Sequence, residues 1–479
     1  MKIHLIGICG TGMASLAGML KARGHEVQGS DQNVYPPMST ILQQAGIPIF
    51  SPYAAQNLDA KPDLVIVGNA ISRGNPEAER VLSEDIPHLS MPQALAKFFL
   101  AGKTPLVVAG THGKTTTASL LAWVLQSAGK DPSFFIGGIP KNFGSNFKLG
   151  QGEYFVLEGD EYDTAFFDKG PKFLHYQPKQ VLLTSVEFDH ADIYEDLEHV
   201  KSAFRRLLAI IPSDGGLVAN LDFEVVAELA GAFAGNQVTY AMHPRYRDRA
   251  DYFGEILETG EKTKFCVVTR EHGKECCHHE VAWEIPGAHN VSNALGVVAL
   301  CMRLGLSWQE IREGLASFQG VKRRQDVLGE VDGILVLDDF AHHPTAVKET
   351  IAAVRKKYPQ RRLWAIFEPR SNSSKRDVFQ RDYPASFAAA DQVLVADVFM
   401  PEKVKSGKVL DVDQVVAEIN RSSSVARARH LSGVEAMIDA LGREARPGDV
   451  LLFMSNGGFG GIQQKMVQAL AARKAPLTD

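Results

Sequence analysis

A chain of 479 residues is too long for one hydrophobic core and divides into roughly two to four domains. Its 45% hydrophobic and 22% charged content excludes disorder as the default, and a formal net charge of -5 supplies no general affinity for nucleic acid or an anionic membrane. Cys9, Cys266, Cys276, Cys277 and Cys301 are odd in number and lack paired spacing, so a reducing, cytoplasmic setting is expected rather than a disulfide framework.

In chain order, MKIHLIGICGTGMASLAGMLKAR opens with a single lysine before its apolar run and has no convincing cleavage site. Its glycines and His4 also make a poor membrane span. It reads instead as strand, tight glycine turn and helix. HEVQGSD and DLVIVGNAI follow as strands, giving a small parallel α/β unit that ends near residue 102. A second α/β segment starts at TPLVVAG, with further strands at YFVLEGDE, VLLTSVEFD and GGLVANLD. Alternation across DYFGEILETGEKTKFCVVTREHGKECCHHEVAWEIPG points to antiparallel strands. Within that run CCHH is not read as a metal site, because neighbours on a strand face opposite sides and no second ligand pair lies nearby. The helix AHNVSNALGVVALCMRLG follows. A third βαβ segment begins near residue 326 and contains GILVLDD, RRLWAIFEP, QVLVADVF and VLLFMSNGG.

Two glycine-rich turns carry the first chemical signals. GTGMAS has Ser15 where a dinucleotide fingerprint has its third glycine, and Asp31 ends the next strand, where an acidic residue often meets a ribose. This turn suits a diphosphate at a helix N-terminus, whether of NAD or another nucleotide; tight strand–helix packing is the plainer alternative. VVAGTHGKTTTASLL is the stronger signal. Val108 stands where G-x-x-x-x-G-K-[ST] has its outer glycine, yet Gly110, Gly113, Lys114 and Thr115 remain between a strand and a helix. Lys114 suits the β/γ-phosphates and the Thr115 hydroxyl suits Mg²⁺, so a nucleoside triphosphate is expected here.

Acidic clusters end the next two strands. LEGDEYD offers Glu158, Asp160, Glu161 and Asp163, and VEFDHAD offers Glu187, Asp189, His190 and Asp192. These are oxygen and imidazole donors suited to a metal, or solvated loops. Asn290 and Asn293 share one side of a helix start, where capping accounts for one of them. Asp338, Asp339, His342 and His343 end an apolar strand in VLDDFAHHPTAV, a position where α/β sheets collect ligands. Arg324 lies in KRRQD at a domain junction, and MSNGGFGG either admits a ligand closely or simply turns.

GTHGKTTT, EFDHAD, HNVSNA, RRQD and DDFAHHPT, in this order and across essentially the whole chain, resemble the Mur ligases, ATP-dependent amide-forming enzymes of peptidoglycan synthesis. The resemblance implies an α/β fold of three domains. Residues 1–102 would form a Rossmann-like UDP-sugar domain, 103–325 a central P-loop domain, and 326–479 a Rossmann-like domain completing the ATP and peptide sites. It implies that Gly10, Thr11, Gly12, Met13 and Asp31 take the UDP-sugar. Gly110, Thr111, His112, Gly113, Lys114, Thr115 and Thr116 would cradle ATP, with Asn290, Asn293, Arg324, Asp339 and His343 around it. Thr115, Glu158 and His190 would hold Mg²⁺, and Lys114, Glu158 and His190 would be catalytic. Where relatives often carry asparagine before E-x-D-H, this chain has Thr184 and Ser185, and neither Lys201 nor Arg205 matches the carbamylated lysine of several members.

GSDQNVYPPMST, EYDTAFFDKGPKF, EPRSNSSK and MSNGGFGGI are similar to members that join UDP-N-acetylmuramate to the recycled tripeptide L-alanyl-γ-D-glutamyl-meso-diaminopimelate. Arg370, Asn372 and Ser373 are then expected at the peptide's distal end, or form a polar loop. The alternatives are ligation to free L-alanine, a more distant folylpolyglutamate synthase activity, an NAD-dependent dehydrogenase, or a nucleotide-gated binding protein. ATP and Mg²⁺ are the expected cofactors, with small-molecule substrates and neither nucleic acid nor membrane as partner.

Overall fold

The computed structural model describes residues 1–34, 38–260, 262–271, 274–404, 407–423 and 426–473. Residues 35–37 of GSDQNVYPPMST, and 261, 272 and 273 of the alternating run, lie outside the described residues.

Three large sheets follow one another along the chain, with a separate two-stranded pair, Asp163–Ala165 against Asp168–Pro171, within the second segment. The first has five parallel strands, with Lys2–Ile6 between Glu26–Ser30 and Leu64–Val67. Chain order reverses direction across that central strand, so the glycine turn after Ile6 opens at a switch point, where such sheets leave a crevice. Ile3, Leu5 and Ile6 are fully buried, which is why this strand reads as continuously apolar.

The second sheet has ten strands. Thr104–Ala109 sits between Tyr154–Gly159 and Gln180–Leu183, parallel to both. The loop leaving Ala109 is therefore flanked by whatever follows those two strands, and both are followed by acidic residues. One end of the sheet is extended by the antiparallel strands Tyr252–Glu258, Thr263–Glu271 and Lys274–Trp283, as the alternation predicts. Helix Lys114–Ser127 carries no charge after Lys114 and is buried on nearly every side, packed against helices Ala288–Arg303 and Trp308–Ser317.

The third sheet has six strands. Its edge strand Asp326–Val331, which is not among the strands read from the sequence, runs antiparallel to Ile334–Asp339; the short turn between them at Asp332 and Gly333 permits only a hairpin. The remaining pairs are parallel and bring the ends of Ile334–Asp339, Asp449–Met454 and Arg362–Phe367 together. Among the described residues no helix is long and apolar enough to cross a membrane.

Candidate active site

The shortened phosphate loop has a structural explanation. Val108 is fully buried inside strand Thr104–Ala109, so the loop proper starts at Gly110. Gly110 (φ +137°) and Gly113 (φ +81°) both lie at positive φ and are both walled in. A Cβ on Gly110 would stand 2.3 Å from Thr184 Oγ1, and one on Gly113 2.6 Å from Asn293 Oδ1. These are close approaches that only glycine allows.

Thr184 and Ser185 shape the loop. The Thr111 N–H donates to Ser185 O (2.9 Å), the His112 N–H donates to Ser185 Oγ (2.9 Å), and the Thr184 hydroxyl donates to His112 O (2.6 Å). Thr111 Oγ1 accepts the Glu187 N–H at 2.9 Å. Strand Gln180–Leu183 ends earlier than VLLTSVEFD suggests: the Thr184 N–H still bonds to Ala109 O at the end of the neighbouring strand, but the backbone from Ser185 onward bonds to this loop instead.

At the start of helix Lys114–Ser127, Lys114 Nζ donates to Gly110 O (2.6 Å) and to Glu161 Oε2 (2.9 Å). Next to it, Thr115 Oγ1 donates to Glu158 Oε2 (3.2 Å) and accepts from Arg324 Nη2 (3.1 Å), while Glu158 Oε1 accepts the Gly137 N–H (2.7 Å). Thr116 is buried in the same first turn. His190 stands on the other side of Glu161, with Nε2 3.4 Å from Glu161 Oε1 and its ring against Tyr162.

The two glutamates are tuned apart. Burial, reinforced by Asp160, pushes the Glu158 carboxyl up to about 7 despite Gly137, Lys114 and Arg324. Burial would also raise Glu161, but the Lys114 ammonium and His190 outweigh it and hold that carboxyl at about 2. Burial alone would lower His190; Glu161 and Asp189 instead leave it raised. Glu161 thus pairs with Lys114 and His190, whereas Glu158 is held by the Gly137 N–H and the Thr115 hydroxyl. The Thr115 hydroxyl and the Glu158 carboxylate are hard oxygens 3.2 Å apart, close to the separation of adjacent ligands on Mg²⁺, so the residues present fit that ion.

The third segment closes over this group. Arg324 lies 4.6 Å above the Phe340 ring and faces Asp339. Asp339 accepts the Gln325 and Ala341 N–H groups, both at 2.7 Å. Asn290 bonds to Pro286 O (2.7 Å), and Asn293 abuts Gly113. His343 caps helix Pro344–Lys357, with Nδ1 accepting the Thr345 N–H (3.2 Å) and Nε2 facing Phe188 O (3.2 Å). Ligand atoms of His112, Glu187 and His343 fall within 4.8 Å of one another. Both His343 nitrogens are already engaged, however, so the trio serves as a polar contact between the second and third segments.

The remaining expected residues divide. Arg370 stacks on Phe399 at 3.6 Å, with Nη1 3.5 Å from Glu368 Oε1. Asn372 and Ser373 instead bond to Asp192 and Asp189. In the first segment, the first bond of helix Thr11–Ala22 runs from Ala14 N to Gly10 O, leaving the N–H groups of Thr11, Gly12 and Met13 outside the helix ladder. Asp31 accepts from the Cys9 N–H (2.9 Å), the Asn33 N–H (3.0 Å) and the Tyr53 hydroxyl (3.3 Å), so it braces the turn.

Comparison with known proteins matches residues 2–103 to the domain described as Mur ligase family, catalytic domain. Residues 108–301 match the Mur ligase middle domain, and 323–457 the Mur ligase, glutamate ligase domain. The chain belongs to the Mur ligase family. This Mur ligase is 41% identical to the UDP-N-acetylmuramate–L-alanyl-γ-D-glutamyl-meso-2,6-diaminoheptandioate ligase of Escherichia coli K12, over 99% of each chain. It is 32% identical to the UDP-N-acetylmuramate–L-alanine ligase of Geobacter sp. M21, over 99% of this chain and 98% of that one. Among solved structures it resembles a murein peptide ligase from Psychrobacter arcticus 273-4, with TM-score 0.74 and 36% identity, over 98% of this chain and 99% of that one. The dehydrogenase reading of the first turn is set aside, and the three-domain α/β ligase architecture stands.

Proposed function

We propose that this ligase joins the muramate carboxylate of UDP-N-acetylmuramate to the amine of L-alanyl-γ-D-glutamyl-meso-diaminopimelate, in peptidoglycan recycling in the cytoplasm. The acceptor is the one named for the 41%-identical Escherichia coli relative. The observation that carries the chemistry is Lys114 and Thr115 on one buried helix start, with Glu158 3.2 Å from the Thr115 hydroxyl. In this reading residues 1–102 bind the UDP-sugar through Gly10–Met13 and 103–325 bind ATP. Residues 326–479 complete the ATP site through Asp339 and His343 and the peptide site through Arg370.

A carboxylate oxygen is a poor leaving group, so it must be activated before an amine can displace it. The muramate carboxylate attacks the γ-phosphorus of ATP, and the bond to the ADP oxygen breaks. The resulting acyl phosphate is attacked at carbon by the tripeptide amine, and the phosphate leaves carrying the amine's proton. Lys114 spreads the charge moving between phosphate oxygens, and Arg324 and Asn293 fix the loop that presents them. Thr115, Glu158 and His190 would hold Mg²⁺, which when bound would further neutralise the phosphate charge.

The test supplies purified protein with ATP, Mg²⁺ and UDP-N-acetylmuramate, and either the tripeptide or L-alanine in parallel. Tripeptide-dependent ADP release with a product of the condensed mass is expected. Preference for free alanine would overturn the acceptor. Failure of an ¹⁸O label in the muramate carboxylate to reach inorganic phosphate would overturn the acyl phosphate.

A further inference from the structure

The segment Asp189 to Asp192 is held from the third sheet's side at four points. Ser373 Oγ donates to Asp189 Oδ1 (2.6 Å) and accepts the Ala191 N–H (3.3 Å). Arg376 Nη1 donates to Ala191 O (2.7 Å), and Asn372 Nδ2 donates to Asp192 Oδ2 (2.8 Å). The same Asp189 oxygen also accepts the His190 N–H (2.7 Å). Ser373, Asp189 and Arg376 are 3%, 7% and 8% exposed, so water competes poorly for these bonds.

His190, at the middle of this segment, has φ +52°. A left-handed conformation at a residue with a Cβ persists only where its surroundings over-determine it. Within the second segment, Glu161 and Tyr162 flank the ring and His190 O accepts the Ile193 and Tyr194 N–H groups (2.8 and 3.0 Å), while from the third sheet's side Ser373 holds the Asp189 carboxylate and Ser373 and Arg376 together hold the Ala191 peptide. The serine hydroxyl is suited to this: it donates to a carboxylate and accepts an amide proton at once, leaving little to offer a peptide.

We infer that Ser373, assisted by Arg376, is a positioning residue through which docking of the C-terminal domain sets His190 at the phosphate end of the site. This rests on the role proposed for His190, and it gives Ser373 and Asn372 a different task from gripping the peptide.

The experiment compares full-length wild type, Ser373→Ala and Ser373→Thr. Ser373→Ala is expected to lower kcat about tenfold, the equivalent of one buried hydrogen bond, and to raise the Mg²⁺ concentration for half-saturation. The KM for tripeptide should stay within about twofold, since no peptide contact is removed. Ser373→Thr, which keeps the hydroxyl, should recover most of kcat. In an Asp189→Ala background the Ser373→Ala change should add little. A tenfold rise in tripeptide KM at unchanged kcat, or no change in any parameter, would overturn the inference. Hydrogen exchange without substrates gives a readout independent of turnover: amides 190–193 should exchange faster in Ser373→Ala, and unchanged protection would overturn the inference even if the proposed acceptor proved wrong. Should Ser373→Ala fail to fold, Arg376→Met offers the same two readouts.

Discussion

The turn after Lys2–Ile6 and the turn after Thr104–Ala109 are both strand, glycine bend and buried helix, and both leave helix N–H groups facing a crevice. They differ in what surrounds the bend. No charged side chain enters the first turn of helix Thr11–Ala22, Gly10 has an ordinary φ of -65°, and the nearby Asp31 is occupied bracing the bend itself. The second bend carries Lys114 and is enclosed by residues from four other parts of the chain: Glu158 and Glu161, Thr184 and Ser185, Asn293, and Arg324. Both bends share a local motif of a kind suited to phosphate oxygens, but only at the second does the fold gather a lysine, an arginine and two glutamates around the helix start.

That contrast is most exposed to a change at Lys114. Lys114→Ala is expected to lower kcat by about 10²–10³, the usual cost of removing one preorganised donor from a developing anion. It should also destabilise the protein, by up to about 3–5 kcal/mol, because the buried Glu161 carboxylate then keeps only His190, 3.4 Å away, as a counter-charge. Adding Glu161→Gln to that variant should restore much of the melting temperature and none of the turnover. If activity returned with stability, Lys114 would be a structural cation and the two bends would be chemically alike.

Alanine at each bend gives a smaller effect and compares them directly. Gly113→Ala places a Cβ 2.6 Å from Asn293 Oδ1 at φ +81°, so a loss of about 1–2 kcal/mol in stability and a raised KM for ATP are expected. Gly10→Ala meets only Gly7 O, at 3.5 Å, and should change stability by less than about 0.5 kcal/mol. Urea titration of the two variants side by side checks this. Equal losses would mean that the first bend is as tightly enclosed as the second.

The bends and most strands were legible because each carries a local signature. KIHLI, VLLT, ILVLDD and VLLFM are apolar runs buried on both faces, and glycine spacing marks the loops between them and the helices. The enclosure was not legible. LEGDEYD presents four carboxylates, and nothing in its spacing says that Glu161 neutralises Lys114 while Glu158 bonds to Thr115 and Gly137. The Ser373 hydroxyl reaches Asp189 across 184 positions, a pairing no periodicity encodes, so the sequence left a peptide contact and a polar loop both open there. Thr184 and Ser185 looked like a departure from a motif until their bonds to Thr111 and His112 gave them a task.

The smallest expected effect concerns pH and separates the enclosed bend from the open one by its histidine. His343 is 6% exposed and lies against His112, with His342, Asp189 and Glu187 also facing it. Burial, with help from the His112 charge, lowers it from 6.5 to about 4, outweighing both carboxylates. The folded protein therefore binds this proton less readily than the unfolded chain. Stability from this group is complete above pH 6.5 and is lost as pH falls towards 4. At about pH 5.5 the loss from this one group is on the order of 1.4 kcal/mol, and it is nearly absent at neutral pH. His343→Gln cannot titrate, so its stability measured by urea unfolding should fall less between pH 7 and about pH 5.5 than that of wild type, even though its stability at pH 7 is lower. Identical slopes would show that His343 takes up its proton in the folded protein at little cost, and that the contact between the second and third segments is wetter than its burial implies.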